Sequence, residues 1–129
     1  MKPSSFLGIK ALISIVFGLL FILMPIATMS MYGAELDTTG MIMARFFGAS
    51  LFAIGLICLN YRNESTDTLS GITLSLFIAD SVGFIVALQA QLSGTINALG
   101  WFNVLIWLSM ALGMAYIRFF STDSTSAKT

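Results

Sequence analysis

Four long apolar runs joined by short polar loops restrict this chain to one kind of structure. They cover roughly residues 6–31, 41–61, 69–89 and 98–120 of the 129. A helix rising 1.5 Å per residue needs about 20 residues to cross about 30 Å of hydrocarbon, so each run is long enough to span a bilayer. The expected fold is an all-α membrane protein, a four-helix transmembrane bundle. Composition agrees: 57% of residues are hydrophobic and 9% charged, where an ordinary soluble domain has about 25% charged residues. A water-soluble fold is excluded on that ground. Residues 1–120 form one four-span domain, and 121–129 read as a disordered cytoplasmic tail.

The first run has Lys2 and Lys10 at its start and contains Pro25. Proline removes a backbone donor and clashes with the preceding turn, so the helix either kinks there or stops at Met24, with Pro25 opening a short interfacial turn. The second is favoured. The run exceeds the 7 to 15 apolar residues of a signal peptide, and no clear small-x-small cleavage site follows it, so it reads as an uncleaved anchor. Lys2, Lys10, Arg62, Arg118 and Lys128 all fall on one side of a four-span arrangement. Lysine and arginine excess marks the cytoplasmic side, so both termini are expected there. Tyr61 and Tyr116 near one surface, with Tyr32 and Trp101 near the other, fit aromatic belts.

Lipid tails are as apolar as leucine, so helices in a bilayer associate where small residues let backbones approach. The third run carries Gly71, Ser75, Ala79, Gly83 and Ala87 at four-residue intervals and is expected to be central. Ala44, Gly48 and Gly55 share a face in the second run, as do Ala11, Ser14 and Gly18 in the first and Ser109 with Gly113 in the fourth. These stripes are expected to pack one bundle, and one of them could serve a homodimer or a membrane-protein partner.

Two ionisable side chains, Arg45 and Asp80, read as standing at depth within the runs. Charge at the centre of a span costs about 2.5 to 3.5 kcal/mol on insertion scales, which makes both functional candidates. Counting inward, Arg45 lies about five residues deep and Asp80 about nine, roughly 7 and 14 Å, and Asn103 and Trp107 reach similar depths. The expected centre is a polar cluster of Arg45, Asp80, Asn103 and Trp107. Three readings stay open. The cluster is a structural ion pair that fixes helix register. Alternatively, Arg45 anchors the acidic or carbonyl head of a lipid-like or quinone-like molecule whose apolar body lies on Trp107 and Phe52. In the third, Asp80 carries protons in a small coupled transporter.

Other chemistries are removed by absence. Histidine does not occur, which excludes histidine-ligated haem, the HExxH zinc site and a histidine base. Cys58 is the single cysteine, so it reads as a small packing residue with no disulfide partner in the chain. With no nucleophile and base pair, metal set or phosphate-cradling loop, no enzyme, metal or cofactor is expected. Formal net charge is zero and no basic cluster exceeds two residues, so nucleic acid is not an expected partner.

The stretch from Met24-Pro25 to Tyr32-Gly33, followed by Ala44-Arg45-Phe46-Phe47-Gly48 and Gly55, resembles small bacterial four-span proteins of the DoxX-like type. The resemblance covers roughly residues 6–120. It implies a four-helix bundle in the bacterial inner membrane and, in some relatives, an accessory role beside quinone-linked oxidation of sulfur compounds. Small multidrug transporters have a similar length, but they carry an essential glutamate in the first span, where this chain has no acidic residue. The expectation is a non-enzymatic accessory or apolar-ligand-binding protein, with the proton-coupled transporter as alternative.

Overall fold

The computed structural model describes residues 2–121. The tail read from the sequence lies, from residue 122 onward, outside the described residues. Five α-helices succeed one another: α1 Pro3–Leu23, α2 Pro25–Met31, α3 Thr38–Tyr61, α4 Thr66–Leu92 and α5 Gly100–Tyr116, the last running into a π-helical turn, Ile117–Ser121. α1, α3, α4 and α5 with its π turn are each long and apolar enough to cross a membrane. Their outward faces carry large apolar side chains, among them Leu12, Leu23, Phe46, Ile85 and Leu105. So extensive an apolar exterior is unlike that of a water-soluble monomer.

Helix starts obey local chemistry. Asp37 caps α3 by accepting from Gly40 N at 2.6 Å, and Ser65 caps α4 by accepting from Thr68 N at 3.4 Å. Pro25 does end the first long helix, yet it opens a seven-residue helix rather than a turn. Pro3 and Pro25 each occupy a first-turn position, where the missing N–H costs nothing. At the break, the Thr28 hydroxyl donates to Met24 O at 2.7 Å and also lies 3.2 Å from Leu20 O. Both carbonyls also accept backbone N–H groups, from Thr28 and Met24 respectively, so the hydroxyl reinforces the junction between the two helices.

The tight contacts are α1 with α3 and α4 with α5. In the first pair glycine is required by closeness: a Cβ on Gly18 would stand 2.8 Å from Gly48 O, and one on Gly48 would stand 2.7 Å from Gly18 O. Gly55 lies against Ala11 and Ile15 in the same way. In the second pair Gly83 lies under the Trp107 indole.

The five-member ladder on α4 does not form one contact face. Gly83 and Ala87 turn inward, while Gly71, Ser75 and Ala79 are exposed, and nothing stands within 4 Å of a Cβ on Gly71. Each four-residue step turns about 40° beyond a full revolution, so the ladder drifts about 160° around the helix from end to end. α4 is accordingly a member of one pair and not a central helix.

At the end of the bundle holding Pro3, the α3–α4 connection and Ile117, here the termini end, the two pairs close on a core of Leu7, Ala11, Cys58, Leu76 and Met114. At the far end they are tied by Asn97, whose backbone N–H donates to Tyr32 O at 2.9 Å and whose side-chain amide donates to Met31 O at 3.0 Å. Gly33, at φ 74°, turns the chain there and leaves room for Asn97.

Gly48→Leu should destabilise the folded protein in detergent by about 1 to 3 kcal/mol or more, because backbone must move. Gly71→Ala should be neutral or stabilising by up to about 1 kcal/mol, since only helix propensity changes. Thermal unfolding of the two variants beside the wild type checks both.

Candidate functional site

Between the two helix pairs lies a cavity of about 720 Å³, within the roughly 300 to 1,000 Å³ typical of small-molecule sites. Its walls are mainly apolar and come from all five helices, with Phe21, Phe47, Trp107 and Met110 among the larger side chains. Phe21 and Phe47 meet edge to face, with centroids 5.1 Å apart.

The floor is an ion pair. Lys10 Nζ donates to Asp80 Oδ1 at 2.6 Å, with the two side chains 6% and 3% exposed. Ile54 and Met110 stand at the same level of the cavity. One helical turn toward the termini end from Lys10, Ile54, Asp80 and Met110 come Leu7, Cys58, Leu76 and Met114 of the closed core. The pair therefore sits on the boundary between a packed half and a hollow half of the bundle. Asp80 Oδ2 is buried and has no hydrogen-bond partner among the described residues.

Toward the far end the lining becomes more polar, with Gln91, Asn103 and Tyr32. Gln91 donates to Asn97 O at 3.1 Å while its Oε1 is buried without a partner among the described residues. Tyr32, the residue after α2, is 9% exposed. Its burial pushes the phenol above its ordinary value, so it stays a neutral donor. The cavity also has a side opening. Met43 and Phe47 of α3 and Val82 and Val86 of α4 line it and yet are exposed on the bundle surface.

The expected polar cluster needs correction at its first member. Arg45 is exposed, makes no ion pair among the described residues and does not line the cavity. It adjoins Ala44, which does line it, but one residue on an α-helix is a turn of about 100°, enough to face a side chain outward. The cation beside Asp80 is Lys10 instead. Asp80, Asn103 and Trp107 are brought together on the cavity wall, as are Ala79, Gly83 and Ala87. Phe52 is not: its backbone lies against Gly18, and Phe47 and Phe21 supply the aromatic wall.

Lys10 is legible in principle. Counted from Phe6 it looks like a flanking charge, but α1 starts at Pro3, which places it two turns in. It also continues the stripe of Ala11, Ser14 and Gly18, all buried on α1. A cation on a small-residue stripe faces a neighbouring helix and not a surface.

Comparison with protein-family models, with curated proteins and with solved structures found no match to this chain. Residue roles at the site therefore rest on geometry alone.

Removing one partner leaves an uncompensated buried charge. Lys10→Met or Asp80→Leu alone should cost about 3 to 5 kcal/mol, and the two combined should recover most of that loss. Arg45→Ala should change stability by less than about 0.5 kcal/mol. Equilibrium unfolding of the four variants in one detergent measures this.

Proposed function

We propose that this chain is a multi-pass protein of the bacterial inner membrane, of the DoxX-like type, with both termini cytoplasmic. In this reading it is a non-enzymatic accessory protein that holds an apolar, lipid-like or quinone-like molecule in the cavity between its helix pairs. The observation that carries the proposal is the cavity itself: a mostly apolar space with a buried ion pair at its floor and a side opening among exposed apolar residues. A molecule already dissolved in lipid could reach it between α3 and α4 without crossing water.

Orientation is supported by Lys2, Arg62 and Arg118 at the termini end. Lys10 no longer counts toward that bias, because it is buried against Asp80. The transporter reading has less support. A carrier must expose its site to both sides in turn, and the termini end is closed by the Leu7, Cys58, Leu76 and Met114 core.

Native mass spectrometry of gently solubilised protein tests the proposal. The wild type should carry a bound molecule of low mass, and Ala44→Phe, which fills the cavity from α3, should lose it while keeping its fold. A wild type that carries no adduct, or one retained equally by the filled variant, would contradict the reading.

A further inference from the structure

Arg45 is the charge that the bundle itself does not satisfy. It is exposed on α3, and its side chain makes no hydrogen bond, ion pair or ring contact among the described residues. Ile42 and Ala49, three and four residues away on the same side of the helix, and Phe46 beside it are exposed as well. A cation left among apolar side chains on a lipid-facing surface is costly, so this one needs polar company from outside the protein.

Its position decides what that company is. α3 has 24 residues, about 36 Å of helix against about 30 Å of hydrocarbon, so with the helix centred in a bilayer the Arg45 Cα lies about 7 Å beneath the far edge of the hydrocarbon. Helical side chains lean toward the helix N-terminus, and α3 begins at the far end, so Arg45 leans toward that edge. An arginine stem lies along apolar surface while its head reaches the interface. The strongest acceptors at that level are lipid phosphates, which a guanidinium meets with two parallel N–H···O bonds. We infer, resting on the reading of this chain as a membrane protein and not on any occupant of the cavity, that Arg45 anchors one glycerophospholipid of the far leaflet through bidentate contact between its guanidinium and the lipid phosphate.

The surroundings suit one phosphate. Arg45 is the one cation toward the far end among the described residues, since Lys2, Arg62 and Arg118 stand at the termini end and Lys10 is buried against Asp80. Asp37, the acidic residue that caps α3, accepts from Gly40 N and makes no ion pair with Arg45. Deeper along α3, Ala49 and Ala53 are exposed at four-residue intervals, a low track where an acyl chain can lie close to backbone. The track is separate from the side opening, because Arg45 is two residues, about 160° around the helix, from both Met43 and Phe47. A phospholipid held at Arg45 leaves the entrance to the cavity clear.

The chain has three arginines, Arg45, Arg62 and Arg118, so one can be isolated by difference. In bilayers of phosphatidylethanolamine and phosphatidylglycerol, the solid-state spectrum of protein labelled at arginine Cζ, less that of Arg45→Gln, leaves the Arg45 carbon. Arg45→Gln should keep the wild-type fold, since the side chain touches no polar group of the protein. Bidentate bonds of about 2.8 Å place the guanidinium carbon about 4 Å from phosphorus, so the Arg45 signal should lose most of its intensity under carbon–phosphorus dipolar recoupling. A signal that persists overturns the inference. One that decays instead against carboxyl carbons of a second, separately labelled copy also overturns it, with a protein carboxylate in the lipid's place. If the protein does not enter bilayers at all, the membrane reading falls and this inference with it. The cavity reading is decided separately, by Ala44→Phe.

Discussion

An ammonium and a carboxylate buried together among apolar helices are the interaction on which the rest of this structure turns. Each charge alone would cost several kcal/mol to desolvate, and their mutual attraction offsets that cost only where the contact is close and other polar demands are met. Lys10 and Asp80 meet the first condition with a 2.6 Å contact. They meet the second only in part, since Asp80 Oδ2 has no partner among the described residues. The pair links α1 to α4, and hence one helix pair to the other, at a level where little else joins them. Below it the bundle is filled by Leu7, Cys58, Leu76 and Met114. Above it the pairs separate around the cavity.

That separation has a simple origin in side-chain size. Gly18 against Gly48, and Gly55 against Ala11 and Ile15, bring α1 and α3 together at backbone distance, while Gly83 gives the Trp107 indole of α5 room against the α4 backbone. Among the described residues no comparable glycine contact joins α3 to α4, where Phe47 and Val82 are exposed. Each pair is therefore stiff, and the space between pairs is held open by the ion pair at one level and by Asn97 at the far end. The arrangement favours a pocket reached from the side over a pore, because the packed core blocks a continuous path.

The architecture is largely written in the sequence and the centre is not. Four helices long and apolar enough to cross a membrane follow from apolar run length, and the interruption at Pro25 follows from a missing donor. The contact faces around Gly18, Gly48 and Gly55 follow from small-residue spacing. Asp80 is recognisable as a buried charge for the same reason of cost. Its partner is harder to read, because distance from a run's edge sets the depth of Arg45 and Lys10, whereas a side chain's direction depends on rotation about the helix. Arg45 lies about 100° from Ala44 and faces out, and Lys10 lies on the stripe of Ser14 and Gly18 and faces in. The ladder on α4 illustrates the same lesson over a greater length. The cavity has no sequence signal, since it depends on which helices pair, and that depends on contacts far apart along the chain.

The contact between Lys10 and Asp80 is central, and magnetic resonance can observe it without a substitution. In protein labelled at lysine Nζ, arginine Nη and aspartate Cγ and reconstituted in lipid bilayers, solid-state dipolar recoupling measures whether a side-chain nitrogen lies beside the Asp80 carboxyl carbon. A strong coupling to a lysine nitrogen, lost when Lys10 alone is left unlabelled by segmental ligation, is the predicted result. A carboxyl carbon with no lysine nitrogen nearby, or one coupled instead to the guanidinium of Arg45, would contradict the account.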